Sequence, residues 1–115
     1  MQDFKVNPIE AEKRPWGMWE VIEKGKGYKI KKLTIDPGQS ISTQWHDHRS
    51  ETWCIIKGDG VMRLGEKIFE VKSGDTVVVP VGAIHKITAT ETGIVAIEVQ
   101  LGEITEESDI HRLPQ

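Results

Sequence analysis

The sequence predicts an all-β domain of the jelly-roll or barrel kind. Apolar residues at helical spacing are almost absent, and short stretches rich in Val, Ile, Thr and Trp recur along the chain. Gly, Pro and Asp punctuate these stretches at short intervals, as expected of many short, evenly spaced strands.

Taken in order, the first expected strand is Met18–Glu23, bounded by Gly17 and Gly25. Tyr28–Ile35 follows, ending at the turn Asp36-Pro37-Gly38. Ser40–His48 is expected as a strand with polar residues at alternate positions, then Thr52–Lys57. Lys57-Gly58-Asp59-Gly60 reads as a turn into Gly60–Leu64, and Leu64-Gly65-Glu66 as a turn into Lys67–Val71. Lys72-Ser73-Gly74-Asp75 leads to Asp75–Val79, and Pro80 with Gly82 turns the chain toward His85–Thr90 and Gly93–Val99. Thr105–Ile110 is acidic and reads as one helical turn capped by Thr105. Residues 1 to about 11 read as a loose arm, leaving 12–115 as the domain.

The 115 residues make one domain, which at this length removes roughly 65% of its unfolded surface from water. Cys54 is the only cysteine, so no internal disulfide is expected and a reducing compartment suits the chain. The charged N-terminus lacks the apolar stretch of a signal peptide, and no apolar run is long enough to span a bilayer. A cytoplasmic location with no membrane partner is the expectation. With 15 basic and 18 acidic residues, the net charge of −3 argues against a nucleic-acid partner. The single basic cluster, Lys24, Lys26, Lys29, Lys31 and Lys32, reads as the polar face of exposed strands. Open strand edges make a homodimer the expected assembly.

Chemistry concentrates between Gly38 and Gly58. Gln44, His46 and His48 alternate along an expected strand and so share a face. Two imidazoles with a carboxylate, Glu51, nearby suit a borderline divalent metal, and His85 is a fourth candidate. His111, isolated in the chain, reads as an ordinary histidine, and the four tryptophans and Cys54 as packing residues.

The spacing G-x5-Q-x-H-x4-E-x6-G from Gly38 to Gly58 resembles the first cupin motif, and G-x5-P-x-G-x2-H from Gly74 to His85 resembles the second. The resemblance implies a cupin double-stranded β-helix. Arg14-Pro15-Trp16-Gly17 and the segments 37–53, 79–85 and 97–112 are further similar to the C-terminal isomerase domain of type II phosphomannose isomerases. That resemblance implies Gln44, His46, Glu51 and His85 as metal ligands. Ala89 stands where the second motif usually ends in Asn, and Asp47, Ser50 and Thr52 stand where the family often has His, Ala and His. The usual type II enzyme carries a nucleotidyltransferase domain in front that has no counterpart here, so guanylyltransferase activity is not implied.

The implied activity is interconversion of mannose 6-phosphate and fructose 6-phosphate. Zinc suits the ligands and the redox-neutral chemistry, with manganese, cobalt, nickel and iron as other ions such a set accepts. His48 is the first candidate for the proton-carrying base and Glu98 the second. Arg49 and Arg112 are the candidates for gripping the phosphate, although simple alternation puts Arg49 on the opposite face from the ligands. The alternatives are a metal-binding cupin of another activity: a dioxygenase, which calls for a redox-active metal, or a small-molecule binding protein.

Overall fold

The computed structural model describes residues 5–103 and 110–112. Nine strands form one curled sheet in which every pairing is antiparallel. They are β1 (Glu10–Arg14), β2 (Gly17–Gly25), β3 (Tyr28–Ile35), β4 (Gln44–Trp45), β5 (Arg49–Leu64), β6 (Lys67–Lys72), β7 (Thr76–Val79), β8 (His85–Gly102) and β9 (His111–Arg112). No helix occurs among the described residues.

Two long strands hold the curl together. The first part of β8 pairs with Gly60–Leu64 of β5; its later part pairs with the earlier part of β5 on one edge and with β3 on the other. A strand can change direction this way only where its backbone bends. At Gly58, φ is +86°, and the register of β5 against β8 shifts between Gly58 and Gly60. A Cβ on Gly58 would overlap the carbonyl oxygen of Gly93. The turn expected at Lys57–Gly60 and the break expected after Thr90 are thus bends inside continuous strands. Glycine and aspartate signal positive φ, and positive φ serves a bulge as well as a turn.

The other expected elements are mostly where the periodicity puts them, with two differences. β1 is absent from the expected strands because its charged, exposed residues carry no alternation; it brings Glu10 and Ala11 of the expected arm into pairing with β2. The expected strand Ser40–His48 is reduced to Gln44 and Trp45, with an isolated bridge at Ser40. The helical turn expected at 105–110 falls, up to residue 109, outside the described residues.

Inward-facing positions of β8 run Ile87, Ala89, Ile94, Ala96, Glu98 and Gln100, all buried. The apolar residues in its middle join Ile35, Ile55, Met62 and Val79 in the core. Burying each such Ile or Met stabilises the fold by roughly 1.5–3 kcal/mol. Toward both ends of β8 the same face is polar, with buried His85 at the start and Glu98 and Gln100 near the end, and these residues place the candidate site inside the curl.

Candidate metal centre

The chain between β4 and β5 decides which side chains enter the site. Gln44 and His46 face inward, 8% and 2% exposed. Asp47 and His48 then form a bend, and both are exposed. Two bend residues invert the phase of alternation, so Arg49, Glu51 and Trp53 become the inward set. This corrects two expectations: His48 lies outside the ligand face it was expected to share, and Arg49 lies within it.

His46 Nε2 stands 3.0 Å from Glu51 Oε2, and His85 Nε2 stands 3.5 Å from Glu51 Oε1. Their ligand atoms all lie within 4.8 Å of one another, and all three residues are buried, so the cluster can hold a metal ion. The donor chemistry fits: two imidazole nitrogens and a carboxylate suit a borderline divalent cation. His85 Nδ1 lies 3.1 Å from the carbonyl oxygen of Ala83; donating its hydrogen there leaves Nε2 with its lone pair toward the cluster. Gln44 is paired directly opposite His85 in the sheet. Its amide nitrogen donates to the Ser42 carbonyl at 3.2 Å, which leaves the amide oxygen as the group that can serve as a donor atom.

Glu51 is held by more than the histidines. Arg49 donates to Glu51 Oε2 from Nε at 3.0 Å and from Nη2 at 2.9 Å, and the Trp53 indole donates to Oε1 at 3.0 Å. Burial alone would raise the Glu51 pKa. Hydrogen bonds from His46 and His85 and the charges of His46 and Arg49 outweigh it and hold the carboxyl well below its usual 4.5. His85 shows the matching effect: burial opposes its charge, but Glu51 prevails and raises its pKa above 6.5.

Glu98 lies directly opposite Trp53 on one side and Lys31 on the other. Burial, reinforced by the Glu51 charge, pushes its pKa up to about 8; Lys31, Arg49 and Gln100 offset part of the rise. Gln100 donates to Glu98 Oε1 at 2.5 Å. A cleft of about 570 Å³ opens beside the cluster, with Gln44, Arg49, Trp53, Glu98 and Arg112 of β9 in its wall. Arg112 is exposed, opposite Gln44. Neighbouring His111 stacks on Trp45 with ring centroids 5.0 Å apart and pairs with Asp47 at 2.7 Å.

Sequence reasoning missed Lys31. Lys29 and Lys31 are each 4% exposed and face inward, which corrects their reading as part of an exposed polar face. The sequence carried half of the signal: alternation puts Lys29 and Lys31 on one face with Leu33 and Ile35, and the fold turns that face into the core. Trp16 and Trp19 pack against the core and also line the cleft. Cys54 is only half-buried, on the outer face opposite Ile97.

A family model described as mannose-6-phosphate isomerase, C-terminal, matches residues 4–115. The chain belongs to this family. Among curated relatives, a mannose-1-phosphate guanylyltransferase of Salmonella muenchen is 35% identical over 101 residues, covering 87% of this chain and 21% of that protein. An alginate biosynthesis protein of Pseudomonas aeruginosa is 31% identical over 101 residues, with the same coverage of 87% and 21%. The chain therefore spans about a fifth of the length of these relatives. Oxalate decarboxylase from Bacillus subtilis superposes with a TM-score of 0.83 at 18% identity, over 97% of this chain and 33% of that one. A Klebsiella pneumoniae protein with a double-stranded β-helix domain gives 0.74 at 18% identity, over 100% and 99%. The fold of this family member is thus the cupin double-stranded β-helix, and its relatives belong to sugar-phosphate and sugar-nucleotide metabolism.

Proposed function

We propose that this domain is a metal-dependent isomerase interconverting mannose 6-phosphate and fructose 6-phosphate, with Gln44, His46, Glu51 and His85 as ligands and zinc as the resident ion. The observation that carries this reading is the buried His46–Glu51–His85 cluster beside a cleft of about 570 Å³. That volume lies within the usual range for small-molecule sites. The family description, mannose-6-phosphate isomerase, supports this choice of substrate.

A divalent ion bound there would supply Lewis acidity to neighbouring oxygens of the open-chain sugar. The chain's own residues do the rest. Arg49 and Trp53 hold Glu51 at both oxygens, so the ligand carboxylate has little freedom to swing. Glu98, in the cleft wall with a pKa of about 8, can both accept and return a proton near neutral pH, as transfer between C1 and C2 requires. Its place in the cleft supports it over exposed His48 in this role.

The experiment is interconversion of the two sugar phosphates by purified protein, stripped of metal and reloaded with zinc, cobalt, manganese, nickel or iron. Metal-dependent turnover is expected. His46→Ala should lose both stoichiometric metal and turnover, whereas Glu98→Gln should keep the metal and lose turnover by about 10²- to 10⁴-fold. Absence of turnover with every ion, despite one bound per chain, would overturn the isomerase assignment.

A further inference from the structure

Basic side chains line the cleft. Arg14, Lys31, Arg49 and Arg112 stand in its wall beside two carboxylates, Glu12 and Glu98. Arg14 pairs with Glu12 at 2.7 Å. Deeper in, Lys29, Lys31 and Arg49 are buried on the inner face of the curl. Taking an ammonium out of water costs several kcal/mol, and an anionic ligand beside it lowers that cost.

The three inner cations are not equivalent. Arg49 commits Nε and Nη2 to Glu51. Lys29 is not in the cleft wall, whereas Lys31 is, with its ammonium 4.6 Å from the centre of the Trp19 ring. A cation over an indole face is attracted to it and loses part of its freedom before any ligand arrives. Arg112 lines the same cleft.

Resting on the sugar-phosphate reading above, we propose that Lys31 is the phosphate anchor: its ammonium, steadied by Trp19, and the Arg112 guanidinium together grip the phosphate monoester dianion of the substrate. The spacing suits this. Lys31 on β3 is separated from the Glu51 strand, β5, by β8 alone, which is two strand spacings or roughly 10 Å. A hexose 6-phosphate carries its phosphate at the far end of the carbon chain from C1 and C2. With those carbons at the metal cluster, the phosphate would extend toward β3.

The test is ligand binding to the metal-loaded full chain, read by fluorescence of the cleft tryptophans and by calorimetry. The probes are mannose 6-phosphate, inorganic phosphate and mannose. Wild-type protein should bind both phosphorylated probes. Lys31→Met should weaken both by about 10- to 100-fold, with metal content and mannose binding unchanged. Lys31→Arg should return affinity to within about tenfold of wild type, and if Lys31→Met does not fold, Lys31→Gln carries the same expectation. Wild-type phosphate affinity in the folded neutral variant, or no phosphate binding by wild type, overturns the anchor. Phosphate binding that depends on Lys31 without isomerase turnover would uphold the anchor and overturn the isomerase assignment. Turnover with an unchanged KM in the neutral variant would do the reverse.

Discussion

His85 holds its proton more tightly than a free imidazole because Glu51, against the cost of burial, favours its charged form. In metal-free protein the stability this contributes is fully present below the ordinary 6.5 and is lost as pH rises through the raised value. Metal binding has the opposite trend, since a ligating imidazole must first lose its proton. Metal affinity should therefore strengthen with rising pH through neutrality, by up to about tenfold per pH unit. Calorimetry in buffers of different ionisation enthalpy should detect the proton released by His85. A pH-independent affinity would show that His85 is not a ligand. Glu51, already held ionised by its neighbours, should contribute little to the slope.

At the scale of strands, the bend at Gly58 lets β5 contribute Glu51 to the site at one end and Met62 to the core at the other. Gly58→Ala combines two penalties, a positive φ and overlap with the Gly93 carbonyl. It should destabilise by about 2–4 kcal/mol. Gly65 provides the control, since its φ is +61° but a Cβ there meets nothing within 4 Å. Gly65→Ala should cost only about 1 kcal/mol, and equal losses of Tm in the two variants would refute the close-approach argument. The bend at Asp47 and His48 is the second decisive element, because it alone switches the inward set from even to odd positions.

For the whole molecule, the cluster draws His46 from just after β4, Glu51 from β5 and His85 from the start of β8. Only the folded chain assembles it, so metal should bind the folded state preferentially. An ion present at about 1,000 times its dissociation constant adds about 4 kcal/mol, or roughly 10–20 °C in Tm for a domain of this size. Melting curves with and without a chelator should show that difference. A metal-independent Tm would place the bound ion elsewhere.

The all-β class and most strand positions were legible in periodicity and turn residues, because side-chain alternation and positive-φ glycines are local properties. The family, and Gln44, His46, Glu51 and His85 as candidate ligands, were legible in motif spacing. Three matters were decided only by the tertiary structure. The phase break at Asp47–His48 exposed one candidate and buried Arg49. The pairing of β8 with both β3 and β5 put Lys31, Glu98 and Trp53 in one row. The curl of the sheet buried lysines that elsewhere would cover an exposed face. Alternation says which residues share a side of a strand. Which side faces inward, and what charge meets it there, depends on strands distant in sequence and on the water they exclude.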